Sequence, residues 1–144
     1  MRIYLGADHR GLQLKEQVSA WLTGRDIEIC DLGAYEPTPD DDYNDYAIAV
    51  AHKVVEDRGS FGVLLCASAQ GMCMQANRFK GIRAAFCRTI AEAAETRSHN
   101  DANILCLSAD EDYGAFGEIL DSFLKTSFLP YERYIRRNQK LDEV

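Results

Sequence analysis

Short apolar runs alternate with amphipathic segments along this chain. Five of the runs are short enough for strands and are bounded by turn residues; they cover residues 3–7, 27–32, 63–65, 82–86 and 103–107. Between them, apolar residues recur at helical spacing. This predicts helices at 12–22, 45–57, 72–79, 89–98 and 113–124, with a last helical segment after Pro130.

The order of these segments predicts the fold class. Strand–helix alternation without a hairpin signal indicates an α/β protein with a Rossmann-like three-layer α/β/α sandwich, a central parallel sheet of about five strands and a C-terminal helical arm. No linker, repeat or low-complexity stretch divides the 144 residues, so we expect one domain over 1–144 with the arm at about 131–144. The chain has no Gly-x-Gly-x-x-Gly and no Walker loop, so a nucleotide-binding module is the less favoured reading.

Composition and charge narrow the class of protein further. Hydrophobic residues make up 47% and charged residues 27% of the chain, as in ordinary globular domains, and the net charge of −7 argues against non-specific nucleic-acid binding. No apolar run approaches the roughly 18 residues of a membrane span. The five cysteines are odd in number and lack a Cys-x-x-Cys pair, which is typical of reduced thiols. With no signal-peptide profile at the N-terminus, we expect a cytoplasmic protein without membrane partners.

The stretch 61–74 carries the first candidate chemistry. Cys66 and Ser68 follow an apolar run at the position where open α/β sheets place their ligands. The small residues after Cys66 predict a tight loop whose backbone N–H groups could hold an anion or oxyanion. The alternative is an ordinary strand-to-helix turn with a buried cysteine.

Three other polar groups are predicted to converge with this loop at one edge of the sheet. They are Asp8 with His9, Asp42 with Tyr43, and the run His99-Asn100-Asp101. Loops that follow parallel strands meet at the carboxyl edge, so two of the three histidines are expected there. The acidic run 40–42 is interpreted as a solvated loop.

Several short motifs, spread along the whole chain, together resemble those of one known family. They are Gly6-Ala7-Asp8-His9 with Gly11, Asp31-Leu32-Gly33, Asp42-Tyr43 with Asp45-Tyr46-Ala47, Cys66-x-Ser68-x-x-Gly71-Met72, Ala76-Asn77, Gly81-Ile82-Arg83-Ala84-Ala85, and Arg97-Ser98-His99-Asn100-Asp101-Ala102-Asn103. With these motifs the sequence resembles the ribose-5-phosphate isomerase B family, which also contains the subunits of galactose-6-phosphate isomerase.

The resemblance implies an aldose–ketose isomerase that moves a proton between C1 and C2 of a sugar phosphate through an enediolate. By this resemblance Cys66 is the base, with a pKa lowered by a helix N-terminus, and His99 and Ser68 open the sugar ring. The oxyanion would be held by the loop of Ala67, Ala69, Gln70 and Gly71. Sugar hydroxyls would bind Asp8, Tyr43 and Asn100, and the phosphate would bind His9, Arg133 and Arg137. The resemblance implies no metal and no organic cofactor.

The resemblance also implies a homodimer or a dimer of dimers, with sites shared between subunits. The segment 131–144 would then be an arm that docks on the partner; a solvated terminal helix is the alternative.

Three departures from the family pattern bear on the substrate. Ala67-Ser68-Ala69 replaces the usual glycine-rich loop, Asp110 stands where an arginine is common, and Arg10 replaces a small residue. We hypothesise that Arg10 restores the lost positive charge as a further phosphate-binding candidate. The departures keep a second reading open, a catalytically weak homologue that binds sugar phosphates or serves as one subunit of a hetero-oligomeric isomerase.

Overall fold

The computed structural model describes residues 1–112 and 116–143. Its elements, in chain order, are β1 Arg2–Ala7, α1 Leu12–Leu22, β2 Glu28–Asp31, α2 Tyr43–Glu56, β3 Phe61–Cys66, α3 Gln70–Ala76, β4 Ala84–Phe86, α4 Ile90–Asn100, β5 Ile104–Ser108, α5 Phe116–Lys125 and α6 Glu132–Asp142. The start of the helix predicted at 113–124 lies outside the described residues; α5 covers the remainder.

The strands form one parallel sheet in the order β2-β1-β3-β5-β4. The centre of the sheet is β3, with Leu65 opposite Ala7 of β1 on one side and Leu107 of β5 on the other. Because β1 and β5 flank β3, the loops after these three strands lie next to one another. This confirms the predicted α/β fold and its five parallel strands.

Helices cover both faces because strand residues alternate between them. On one face Leu5, Val63 and Leu105 are buried against α1, α4 and α5. On the other face Leu64 and Cys106 are buried against α2 and α3. The three predicted layers are therefore present.

The last helix, α6, packs on the C-terminal end of α4. The Tyr134 ring lies 4.5 Å from the His99 ring, and Nδ2 of Asn138 donates to the His99 carbonyl over 3.4 Å. Arg83 anchors the far end of the helix, because its guanidinium donates to both oxygens of Asp142 at 2.9 Å. Within residues 1–112 and 116–143, no helix has the length and apolar character that a membrane crossing requires.

Candidate active site

Cys66 is the last residue of the central strand, and the loop after it folds back onto its sulfur. The Ala69 N–H donates to Cys66 Sγ at 3.1 Å, and α3 begins at the next residue. Ala69 is completely buried and has a φ of 62°, in the left-handed region. A Cβ in that region costs about 1–2 kcal/mol, so the alanine holds a geometry that glycine would adopt without strain.

The pKa of the Cys66 thiol is raised, and the expected lowering is wrong for this chain. Burial is the main cause, and the negative charge of Asp8 adds to it. Backbone N–H groups of Ala69, Met72 and Ser68 act in the opposite direction but do not outweigh these two effects. The helix that follows has only seven residues, Gln70–Ala76, so it offers little dipole to a thiolate.

The strand β5 fixes the rest of this loop. The Ala67 carbonyl accepts from the Ser108 hydroxyl at 2.5 Å and from the Asp110 N–H at 3.1 Å. Ser68 is exposed, with its hydroxyl 3.4 Å from the Gln70 N–H that donates to it. Ser68 and Gln70 are therefore exposed at the carboxyl edge, where a ligand can reach them, whereas Ala69 is buried.

Asp8 lies beside this loop because the β1 loop closes tightly against β3. An ideal Cβ on Gly11 would lie 2.1 Å from the Leu65 carbonyl oxygen, so only glycine permits this approach. The Gly11 N–H in turn donates to Asp8 Oδ1 at 2.8 Å. Asp8 is 7% exposed, and burial raises the pKa of its carboxyl group.

His9 is held by a carboxylate that the sequence interpretation missed. Asp41 Oδ1 lies 2.5 Å from His9 Nδ1, and Asp41 Oδ2 accepts from the His9 N–H and from the Tyr46 hydroxyl, each at 3.0 Å. The Asp41 side chain is 8% exposed, so the interpretation of 40–42 as a solvated loop is wrong at this residue. No local pattern reveals the pair, because its members are 32 positions apart.

Tyr43 lies against the start of α3. A Cβ on Gly71 would be 2.5 Å from Tyr43 Cζ, so the absent side chain makes room for the ring. Tyr43 is 37% exposed at the first residue of α2, beside the loop that Cys66 begins. The structure thus brings Tyr43 and Gly71 together at the carboxyl edge.

Arg10 and Asp110, two of the departures from the family pattern, contact each other. Their side chains form an ion pair of 3.0 Å between Arg10 Nη2 and Asp110 Oδ1, with both side chains 57% exposed. The guanidinium charge is balanced by the carboxylate, which counts against the hypothesis that Arg10 restores positive charge here.

His99 and Asn100 lie at the amino edge of the sheet, opposite to Cys66. The expectation that they meet Cys66 at the carboxyl edge is therefore wrong within one chain. They end α4, which runs back toward the amino ends of the strands. Shortly after them, the Asn103 carbonyl accepts from Gly62 N–H at the start of β3. Gly62 is four residues from Cys66, or about 13 Å along an extended strand.

The predicted phosphate-binding arginines lie near His99 rather than near His9. Arg133 is on α6, and its guanidinium donates to the Tyr134 hydroxyl at 3.1 Å. Arg137 is exposed one turn later on the same helix. One chain therefore carries two separate sets of candidate residues, one at each edge of its sheet.

A thiol, a buried carboxyl group and a histidine at the carboxyl edge of a parallel sheet are typical of α/β enzymes that act on small molecules. Comparison with known proteins identifies the family. The model of the family described as Ribose/Galactose Isomerase matches residues 3–141, so the chain belongs to this family, as an isomerase of the ribose-5-phosphate isomerase B type.

Three relatives illustrate the match. A probable ribose-5-phosphate isomerase B of Mycoplasma pneumoniae is 40% identical over 131 residues, which cover 88% of this chain and 84% of the relative. The crystal structure of ribose-5-phosphate isomerase B from Mycoplasma genitalium with bound ribulose-5-phosphate superposes with a TM-score of 0.91 at 37% identity, covering 99% of this chain and 94% of that one. A 4-deoxy-4-sulfo-D-erythrose isomerase of Clostridium sp. is 34% identical over 129 residues, 89% of this chain and 81% of the relative.

Proposed function

We propose that this protein interconverts an aldose phosphate and its ketose phosphate, with ribose 5-phosphate and ribulose 5-phosphate as the first substrate pair to test. The observation that carries the proposal is the Cys66 thiol at the end of the central strand, 3.1 Å from the Ala69 nitrogen and beside buried Asp8. The bound ribulose-5-phosphate of the Mycoplasma genitalium relative supports this choice of substrate.

In the proposed reaction, Cys66 as thiolate removes the proton from C2 of the open-chain aldose. The C–H electron pair forms the C1–C2 double bond, and the carbonyl electrons move to the C1 oxygen, which gives an enediolate. Backbone N–H groups of 67–71 hold the developing oxyanion. The C2 hydroxyl proton then passes to the C1 oxygen, and the Cys66 thiol protonates C1, which gives the ketose and returns Cys66 to the thiolate. His99 and Ser68 exchange the protons that open the sugar ring.

The raised pKa of Cys66 has a consequence for this reaction. Because the thiol is the favoured form at neutral pH in the isolated chain, the rate should rise with pH as the thiolate fraction grows. Removal of the Asp8 charge would favour the thiolate, whereas the burial of the sulfur would still raise its pKa.

We further propose that each site is built from two copies of the chain, in a homodimer or a dimer of dimers. About 13 Å of strand separates Cys66 from the start of β3, and His99 lies beyond that point, so one sugar phosphate cannot contact both within a chain. A second copy could supply its His99, Asn100, Arg133 and Arg137. Exposed Tyr131, Ile135 and Leu141 support the segment 131–144 as the docking arm.

A cytoplasmic location fits this function. All five cysteines are free thiols, as expected in a reducing compartment. The net charge of −7 also gives no support to a nucleic-acid partner.

The test is turnover of ribose 5-phosphate and a panel of other pentose and hexose phosphates by the wild type, Cys66→Ala and the control Cys73→Ala. Cys73 is half-buried on α3, and the proposal gives it no part in the reaction. We expect turnover of at least one substrate that is lost in Cys66→Ala and kept in Cys73→Ala. Turnover that survives in Cys66→Ala would contradict the base, and none on the whole panel would favour a homologue that only binds sugar phosphates.

A second candidate substrate is a sugar whose terminal group carries less charge than phosphate. The specific observation is that His9 and Arg10 already face Asp41 and Asp110. The Clostridium relative, which is named as an isomerase of a sulfonated sugar, supports this candidate. Adding sulfonated sugars to the panel distinguishes the two candidates by their kcat/KM values.

A further inference from the structure

Each basic side chain in the loops that follow the strands faces an acid. These loops contain three basic residues: His9 and Arg10 after β1, and Arg88 after β4. His9 is 2.5 Å from Asp41, Arg10 is 3.0 Å from Asp110, and Arg88 is 3.9 Å from Glu92. Within one chain, a phosphate that binds at this edge therefore meets basic side chains that already have acidic partners.

The Arg10–Asp110 pair crosses the carboxyl end of β3. Arg10 belongs to the loop after β1 and Asp110 to the loop after β5, and these two strands flank β3 in the sheet. The ion pair thus spans the strand end that carries Cys66. A ligand at Cys66 has this pair as one border of its site.

The main chain of Asp110 is fixed next to the Cys66–Ala67 loop. Its N–H donates to the Ala67 carbonyl and to the Ser108 hydroxyl oxygen, each at 3.1 Å. Arg10 has a long side chain that is 57% exposed, and an exposed ion pair contributes little to stability. The long Arg10 side chain can therefore turn toward a ligand, whereas the short Asp110 side chain keeps its carboxylate within two bonds of a fixed main chain.

We propose that Asp110 is a specificity-determining residue that weakens binding of a dianionic terminal group relative to a group of lower charge. The inference rests on the proposed function, because it assumes that the terminal group of the sugar binds near Arg10. A phosphate monoester is largely dianionic above about pH 6, so Asp110 repels it more strongly than a monoanion such as a sulfonate. Asp110 also accepts from Arg10 Nη2, a donor that a phosphate could otherwise use.

The test compares Asp110→Asn with the control Glu111→Gln, which removes the same charge from the neighbouring exposed residue. A unit charge about 6 Å from a dianion at an exposed site changes an equilibrium constant about five- to tenfold. We therefore expect Asp110→Asn to lower KM for ribose 5-phosphate at pH 8 about fivefold, with kcat within about twofold of the wild type. Glu111→Gln should change KM by less than about twofold.

A double variant tests whether Arg10 is the residue through which Asp110→Asn lowers KM. Arg10→Gln in the Asp110→Asn background should reverse most of the decrease in KM. If Asp110→Asn leaves KM unchanged, or if Glu111→Gln lowers it equally, the inference is overturned while turnover by the wild type upholds the function.

Absence of wild-type turnover would instead count against the proposed function with this substrate. Calorimetric affinity for ribose 5-phosphate then decides the inference by itself. Tighter binding by Asp110→Asn alone supports it, and equal or undetectable binding in all three proteins overturns it.

Discussion

Replacing Ala69 by glycine should leave the free energy of unfolding within about 1 kcal/mol of the wild type. Three contributions to the free energy of unfolding change in this variant. Glycine relieves about 1–2 kcal/mol of left-handed strain at the φ of 62°. It adds about 0.5–1 kcal/mol of chain entropy to the unfolded state and removes a completely buried methyl group worth about 0.8 kcal/mol. The gain and the two losses nearly cancel.

Ala67→Gly is the matched control, because Ala67 lies two residues earlier in the same loop and does not have a positive φ. There the chain entropy and part of a methyl contact are lost with no strain to relieve, so we expect a loss of about 1 kcal/mol. Ala69→Gly should therefore be more stable than Ala67→Gly by about 1 kcal/mol.

Urea unfolding followed by the fluorescence of Trp21, the single tryptophan, measures both variants. All samples need one protein concentration, because association would shift apparent stability. If Ala69→Gly loses as much stability as Ala67→Gly, or more, the strain assigned to residue 69 is refuted.

Three further predictions concern the residues around Cys66. Asp8→Asn removes a negative charge that raises the Cys66 pKa, so the rise in rate with pH should move to lower pH; a profile that stays in place or moves to higher pH contradicts this. Gly71→Ala should raise KM several-fold with little change in unfolding free energy, because the new Cβ displaces the Tyr43 ring; an unchanged KM in steady-state assays would count against a role for that ring. Gly11→Ala should destabilise the fold by about 2–3 kcal/mol in thermal or urea unfolding, since its Cβ overlaps a carbonyl oxygen of β3; a loss under about 1 kcal/mol would show that the loop can move aside.

The sequence predicts the layout of this protein well because each strand and helix has a local signal. The apolar run before Cys66 and the small residues after it correctly locate the central strand and its loop. The sequence also predicts the end of the helix that carries His99 to within two residues. A helix between parallel strands must return to their amino ends, so the prediction that His99 meets Cys66 at the carboxyl edge is wrong within one chain. That geometry puts His99 at the far edge from Cys66.

Other features of the site depend on contacts between distant parts of the chain. The contact between His9 and Asp41 joins two loops, and the contact between Arg10 and Asp110 joins residues 100 positions apart. The raised pKa of Cys66 depends on how deeply the sulfur is buried and on the nearby Asp8, neither of which has a sequence signature. Charge balance at the edge of the sheet is therefore a property of the folded chain.

The most direct test of a site shared between two copies is to mix two inactive variants. Cys66→Ala and His99→Ala should each lack turnover of ribose 5-phosphate. After unfolding and refolding together in equal amounts, half of the dimers would contain one chain of each kind, with one intact site. The account predicts recovery of about one quarter of wild-type activity in the mixture and none in either variant refolded alone. A mixture that stays inactive, although wild type refolded in the same way recovers its activity, would contradict it.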